Sequence, residues 1–451
     1  MATPGTPATS LALRGFIIMR SSALTARRAA VWCALALCPM AGHAATPADS
    51  GDTAWLLTAT ALVLFMTLPG LVAFYSGLVR SKNVLSVSTQ CFAIACIVSL
   101  LWLAGGYGLA FGDGGALQPV IGSFSKAWLT GARASVKGSA PEAAFVMFQL
   151  TFAIITPALV IGGFAERMKF SAVLWFSILW TLLVYLPVAH WVWGDGWLAR
   201  LGVLDFAGGI VVHINAGVGA LVAALVLKKR RGFPDIAMPP HNLPLTVMGA
   251  GMLWVGWFGF NGGSALAANE SAAMAILVTH LGAATGALAW MAVEWWRFGK
   301  PSVLGIVTGT VAGLGTITPA SGFVGPLGAI IIGGFAGIVC FFATNFLKRR
   351  LHIDDSLDVS PVHGVGGVIG TTLTGLFVAQ GLGGIGYAKG MTGLSQIGVQ
   401  LLGVLAATVW CALVTFVILK LIGATIGLRV SEEQEREGLD LAQHGERAYN
   451  E

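Results

Sequence analysis

The stretch Asp205-Phe-Ala-Gly-Gly-Ile-Val-Val-His213-Ile-Asn-Ala-Gly217-Val218 places one acid and one imidazole in an otherwise apolar, glycine-rich run. It is echoed by Val362-His363-Gly-Val-Gly-Gly367-Val368, with Asp355 eight residues before His363 as Asp205 is eight before His213. The offset between the two copies is 150 residues throughout. The stretches fall in the fifth and tenth of eleven apolar runs, near 55–79, 84–111, 145–164, 173–192, 206–227, 243–260, 272–296, 303–316, 323–346, 362–378 and 397–426. Five runs per copy is an odd number, so the second copy enters a membrane from the opposite side. Inverted repeats of this kind build transporters whose pathway lies at the repeat interface. The eighth and tenth runs are short and rich in glycine, as helices lining a cavity often are.

Composition agrees with a membrane location. Of 451 residues, 56% are hydrophobic and only 10% charged, whereas a soluble domain carries roughly 25% charged residues. Apolar content this high also excludes disorder. The runs are continuous rather than alternating, which argues against a transmembrane barrel. The 61 glycines suit closely packed membrane helices. The net charge of +6 does not indicate nucleic acid, because the basic residues cluster between apolar runs.

Residues 1–44 read as a secretory leader. Arg27 and Arg28 precede an apolar core at 29–37, and Pro39-Met-Ala-Gly-His-Ala44 supplies small residues for cleavage after Ala44. Met19 is an alternative start, and a short first span is the competing reading. A cleaved leader puts the N-terminus outside and implies a bacterial inner membrane. With that orientation the inner loops hold thirteen basic residues: Arg80, Lys82, Arg167, Lys169, Lys228, Lys229, Arg230, Arg231, Arg297, Lys300, Lys348, Arg349 and Arg350. The outer loops hold five: Lys126, Arg133, Lys137, Arg200 and Lys389. The imbalance follows the positive-inside rule. The expected architecture is therefore an all-α membrane protein of eleven transmembrane helices, an inverted five-helix repeat plus an eleventh helix. Residues 45–428 form the membrane domain and 429–451 a cytoplasmic tail.

Ionisable groups within spans are costly and usually functional. His213 and His363, one per repeat, can relay a proton as stacked imidazoles or can simply be packed. Asp205 can bind a cation directly or pin neighbouring backbone. Glu270, Glu294, His190 and His280 lie near helix ends and receive no role. Gly381-Leu-Gly383-Gly-Ile-Gly386 matches a dinucleotide fingerprint but follows no strand, so it reads as a turn. The six cysteines give no metal spacing, and the four in the spans read as small buried hydrophobes. Phe148 and Phe152 share a face of the third run. Trp257, Phe260 and Ser264 gather at the outer end of the sixth, and Trp193 ends the fourth. Rings with a hydroxyl form a cation–π site for a small cation; the competing reading is packing or an interfacial belt. There is no phosphate loop, metal cluster or catalytic triad, so neither an enzyme nor a cofactor is expected.

Several motifs together carry a resemblance. Phe74-Tyr-Ser-Gly-Leu-Val-Arg80, Ala165-Glu-Arg-Met-Lys-Phe170, the run from Asp205 to Ala216, Gly256-Trp-Phe-Gly-Phe-Asn261-Gly-Gly-Ser264 and Val362-His363-Gly-Val resemble the ammonium transporter family (Amt/Mep/Rh), most nearly its bacterial AmtB-like members. The likeness runs from about residue 53 to the C-terminus. It implies a homotrimer with one eleven-helix pore per subunit. By motif it implies ammonium recruitment at Phe148, Trp193 and Ser264, a ring gate at Phe152 and Phe260, and pore histidines at His213 and His363. Asp205, Trp257 and Thr318 are implied as supporting residues. Trp193 and Ser264 favour the Amt branch over the Rh gas channels.

The mechanism this implies is recruitment of NH4+ (or methylammonium), loss of its proton and passage of NH3, with or without the proton following. The alternative is an ammonium sensor with transport as a by-product; a long appended cytoplasmic domain would favour it, and the tail read here is short. The tail resembles that of relatives controlled by a trimeric PII-type signal protein. Lys228 to Arg231 and Lys348 to Asp355 would complete that docking face. Residues 432–437 suit a short solvated helix, with a plain solubilising tail as the other reading.

Overall fold

The computed structural model describes residues 48–132 and 135–449. The leader at 1–44, its cleavage point and Arg133 lie outside the described residues. Among the described residues, ten helices are long and apolar enough to cross a membrane. They are α1 (Ser50–Leu78), α2 (Ser81–Phe111), α3 (Glu142–Gly163), α4 (Phe170–Arg200), α5 (Gly209–Leu227), α6 (Leu243–Gly262), α7 (Glu270–Phe298), α8 (Val303–Ala320), α9 (Pro326–Arg350) and, last in the chain, α11 (Gly393–Thr425). Between the last two runs α10, the turn Ser360–Val365 continued by Gly366–Phe377. Its glycines, threonines and histidine dilute its hydropathy, but it is enclosed by α5, α8, α9 and α11 and completes the eleven spans. Two short helices, α12 (Glu432–Glu437) and α13 (Leu439–His444), form the tail. Among the described residues the only strands are β1 (Val136–Lys137) and β2 (Ala140–Pro141), an antiparallel pair before α3.

Helix starts follow local chemistry. Asp49 caps α1 by accepting from Asp52 N–H, and Asn242, Asn269 and Ser302 cap α6, α7 and α8 in the same way. Thr392 and Ser395 form a reciprocal capping box at α11. These polar turns explain why several helices begin a few residues earlier than their apolar runs do.

The chain alternates direction between two faces. One is here called the tail face, where the α1–α2, α3–α4, α5–α6 and α9–α10 connections meet the tail. Helix α3 is central: 94% of its most apolar stretch is buried, against 33% for the peripheral α11. Helices α5 and α10 run in opposite directions and cross where Gly217 meets Gly364. A Cβ built on Gly217 would lie 2.2 Å from the Gly364 backbone, so only glycine permits this approach. The inverted repeat is thus joined at its two matched helices. Large apolar side chains such as Leu288, Phe335 and Leu413 are exposed on α7, α9 and α11, as lipid-facing residues are. Cys91, Cys340 and Cys411 are buried, but Cys96 is on the exposed side of α2, so the buried reading fails for that one residue.

The tail face is held by a buried ion network. Glu166 accepts from Arg80 at 2.9 Å and from Arg230 at 2.8 Å, and Arg230 also pairs with Asp354 at 2.8 Å. Arg167 donates to the Gly163 and Asp354 carbonyls. Burial pushes the Glu166 carboxyl up, but Arg230 and Arg80 outweigh it and hold the group down at about 2. The tail docks on this network. Glu435 is buried and accepts from the Arg231 N–H and the Arg429 guanidinium, each at 2.7 Å. Asp440 accepts from Ser86 N–H at 2.7 Å, and Leu439 N–H donates to Asn83 at 2.8 Å, so the tail caps the start of α2. The helix expected at 432–437 is present, but it is not simply solvated.

Candidate functional site

The candidate site is built from the ends of broken helices. The chain before α5 is irregular, and Asp205 organises it. One carboxylate oxygen accepts from Gly208 and Gly209 N–H at 2.9 and 2.6 Å, the other from Ile210 and Val211 N–H at 2.8 and 3.2 Å. Four orphan donors of the helix start are satisfied by one side chain. This is the pinning arrangement rather than a direct cation ligand. The repeat-related Asp355 likewise accepts from Ser360 N–H at 2.6 Å at the start of α10. The Asp205 carbonyl accepts from Trp193 Nε1 at 2.9 Å and so fixes that indole.

Trp193 stands edge-on to Phe152, with centroids 5.7 Å apart and planes at 88°. Phe152 lies against Phe260 at 4.2 Å and 32°, a closed ring pair, and Phe148 meets Phe152 at 5.0 Å. Phe148 also packs against the backbone of Gly263, where any Cβ would come within 2.7 Å of its ring. Ser264 donates its hydroxyl to the Phe260 carbonyl at 2.8 Å. Its proton is thereby used, and its oxygen is left as an acceptor. A half-buried indole, packed rings and an acceptor oxygen suit a cation that can itself donate hydrogen bonds.

Beyond Phe260 the imidazoles follow. His213 stacks on Trp257 at 5.5 Å and 20°, and Trp257 Nε1 donates to Thr318 Oγ1 at 2.9 Å. Thr318 donates onward to the Leu314 carbonyl. Thr318 therefore reaches the ring cluster only through Trp257. His213 and His363 stack at 5.2 Å and 19°, with their Nδ1 atoms 3.1 Å apart. One of these nitrogens must donate and the other accept. His213 Nε2 is buried without a partner. Both histidines sit in wide turns, Gly209–Ile214 and Ser360–Val365, where the regular ladder is interrupted.

Phe260, Trp257, His213 and His363 line a cavity together with Leu71 and Leu159. Its volume of about 10 Å³ is on the scale of one water position. No lining side chain carries a fixed charge. His363 also borders a wider cavity of about 120 Å³ that leads past Tyr75 and Val311 toward Lys348 and Asp358 on the tail face. Phe260, both imidazoles and the two cavities thus form a contiguous series that ends at the tail face. The residues singled out from the sequence are neighbours here: Phe148, Trp193 and Ser264 lie beside the Phe152–Phe260 pair, then come Trp257, His213 and His363, with Asp205 and Thr318 hydrogen-bonded to Trp193 and Trp257.

Gly315 of α8 was not singled out from the sequence. A Cβ there would sit 3.6 Å from His363 Nδ1 and 3.8 Å from His213 Cε1, so its missing side chain leaves the imidazoles room. Nothing local marks it among the other glycines; only the fold brings it opposite the pair.

Comparison with known proteins gives a consistent family. The family model described as Ammonium Transporter Family matches residues 54–449. An ammonium transporter of Aquifex aeolicus is 49% identical over 409 residues, 89% of this chain and 94% of the relative. The ammonium transporter Amt1 of Archaeoglobus fulgidus is 46% identical, covering 89% of this chain and all of that one (100%). A solved structure titled Sensor Amt Protein superposes with a TM-score of 0.82 at 30% identity, covering 87% of this chain and 98% of that chain.

Proposed function

Because the chain belongs to the ammonium transporter family, we propose that it recruits NH4+ at Trp193, Phe148 and Ser264, takes its proton beyond the Phe152–Phe260 pair, and conducts NH3 past His213 and His363. Membership makes it a multi-pass membrane transporter rather than an enzyme. The observation that carries the finer reading is the Nδ1–Nδ1 contact of two buried imidazoles in a passage with no fixed charge. A bare cation in such a passage loses its hydration without compensation, which costs several kcal/mol or more. Ammonia needs only the hydrogen bonds that the imidazoles exchange.

Selection against K+ follows from the same chemistry. Both ions gain from ring faces, a contact worth roughly 0.5–2 kcal/mol. Only NH4+ donates hydrogen bonds to Ser264 Oγ and only NH4+ can surrender a proton. The proton either returns or follows through the imidazole pair. Methylammonium uptake and current, measured together in reconstituted vesicles, test the proposal and separate those two outcomes.

The setting proposed is a bacterial inner membrane, with the ring site outside and the tail face in the cytoplasm. The thirteen-to-five distribution of basic residues supports that orientation. A homotrimer with a pore in each subunit is proposed, and with it a trimeric PII-type protein that docks on the tail face and blocks the wider cavities. Matching symmetry would make one contact three times over. The docked tail, α12 and α13, offers an ordered edge for it.

A second reading, an ammonium sensor that also transports, is favoured by the superposition on the Sensor Amt Protein. A response regulated by ammonium in a transport-dead His213→Ala/His363→Ala protein would select it.

A further inference from the structure

Ser264 lies on the turn between α6 and α7, and two side chains of α1 hold that turn. Trp55 Nε1 donates to the Gly262 carbonyl at 3.1 Å, and Asp52 Oδ1 accepts from Ala268 N–H at 2.7 Å. The first contact falls just before Ser264 and the second just after it. Among the described residues no other side chain from another helix hydrogen-bonds to residues 262–268. The remaining bonds are the turn's own: Ala265 N–H donates to the Gly262 carbonyl at 3.3 Å and Leu266 N–H to the Gly263 carbonyl at 2.9 Å. The chain reverses at Leu266 with φ 58°, a left-handed conformation uncommon for leucine. It then presents Ala268 N–H to Asp52.

The packing under these two bonds leaves no slack. Trp55, Ala59, Leu62 and Met66 follow at helical spacing on one face of α1 and lie against Gly262, Gly263, Gly259 and Gly256 respectively. A Cβ built on Gly263 would come within 2.6 Å of the Ala59 Cβ and 2.7 Å of Phe148 Cε2. Ala59 of α1 and Phe148 of α3 therefore converge on the backbone next to Ser264. A tryptophan that belongs only to the interfacial belt turns its N–H to water or headgroups. The half-buried Trp55 instead spends its N–H on a carbonyl of the turn.

We propose that Trp55 and Asp52 are positioning residues for cation capture, which hold the Ser264 hydroxyl oxygen in register with Trp193 and Phe148; the proposal rests on the recruitment reading of Ser264. Neither residue touches the cation, and each acts through the backbone of the turn. The Ser264 proton is committed to the Phe260 carbonyl at 2.8 Å, so the direction of its free lone pairs follows wherever residues 262–264 sit. A hydrogen bond weakens steeply when its acceptor moves or tilts, whereas the ring faces of the site stay where their own helices put them. Loss of either α1 contact therefore lowers apparent affinity and spares the steps beyond the Phe152–Phe260 pair.

The test is the concentration dependence of methylammonium uptake by vesicles reconstituted with the full chain. The variants are Trp55→Phe, Asp52→Leu, Asp52→Asn, Ser264→Ala and Trp55→Phe/Ser264→Ala. Trp55→Phe and Asp52→Leu are each expected to raise the half-saturating concentration roughly two- to tenfold, the scale of one hydrogen bond, at an unchanged maximal rate. Asp52→Asn keeps an acceptor for Ala268 N–H and should behave as wild type. Ser264→Ala raises half-saturation, and adding Trp55→Phe to it changes nothing further. Trp55→Phe keeps a ring and loses only the donor, so it decides the case if Asp52→Leu fails to assemble. Unchanged half-saturation in Trp55→Phe, or a loss confined to maximal rate, overturns the proposal while Ser264→Ala still shows its effect. An equal rise on adding Trp55→Phe to the Ser264→Ala protein also overturns it, because the residue would then act elsewhere. Wild-type half-saturation in Ser264→Ala instead removes the recruitment reading itself, and the positioning role falls with it.

Discussion

His213 and His363 come from helices that run in opposite directions, yet their Nδ1 atoms meet at 3.1 Å and their rings stack within 19° of parallel. A contact of this kind needs one donor and one acceptor, so the two rings share a single proton position between them. The Asp205 and Asp355 caps at the same repeat offset hold the helix starts that carry them. Trp257 covers one side of His213, and the missing side chain of Gly315 leaves space beside both rings. The pair is thereby fixed in orientation, and His213 Nε2 is left buried without a hydrogen-bond partner.

Trp193→Leu is expected to weaken apparent affinity for ammonium by a few-fold to tens-fold, the worth of one cation–π contact, while maximal rate changes little. In the proposed mechanism this residue acts before the apolar constriction and so governs capture. Concentration dependence of methylammonium uptake is the measurement. An unchanged half-saturation in the variant would remove Trp193 from the recruitment site.

Gly315→Leu is expected to stop conduction without loss of protein from the membrane. The Cβ itself makes ordinary contacts at 3.6 and 3.8 Å, so the backbone tolerates it, and the longer side chain occupies the space beside the imidazoles. Gly315→Ala should slow transport less. Wild-type uptake by the Leu variant would place the route elsewhere.

Glu166→Gln is expected to destabilise the tail face by about 3–5 kcal/mol, because Arg80 and Arg230 lose a buried partner. The Glu166 carboxyl is lowered from 4.5 to about 2. Its stabilisation is therefore complete above pH 4.5 and is lost as pH falls toward 2. Thermal unfolding of the detergent-solubilised protein should show a wild-type melting temperature that drops across that window. The variant should start lower and fall less steeply. Parallel curves for the two proteins would mean that Glu166 is not the group titrating there.

Deleting residues 431–451 is expected to leave an assembled membrane protein with weakened capture of a PII-type partner. The measurement is a membrane pull-down with and without ammonium. Equal capture by full-length and shortened protein would mean that the tail is not the docking element.

The features legible in the sequence are those with local signatures. Long apolar runs mark the spans, and the repeated Asp–His spacing marks α5 and α10 even though α10 is too rich in glycine and threonine to stand out by hydropathy. Helix ends were less legible: α1 begins at Ser50, because the turn capped by Asp49 extends beyond the apolar core, and α3 begins at Glu142, directly after the uncapped Pro141. The ion network of Glu166, Arg230 and Asp354 was not readable, since its members are far apart in the chain and each looks like an ordinary loop charge. The same holds for Glu435 and Asp440, which only the docked tail brings onto Arg231 and the start of α2. Gly315 carries no signal of its own. Asp205 was readable as important, but its choice between cation and backbone required the four N–H groups to be seen around it.

The most direct test is methylammonium uptake by vesicles reconstituted with the His213→Ala/His363→Ala protein, its assembly checked beforehand. A passage that depends on the imidazole pair predicts a loss of uptake on the order of a hundredfold or more, the scale of a removed proton-transfer group. Uptake at the wild-type rate in the folded double variant would contradict it.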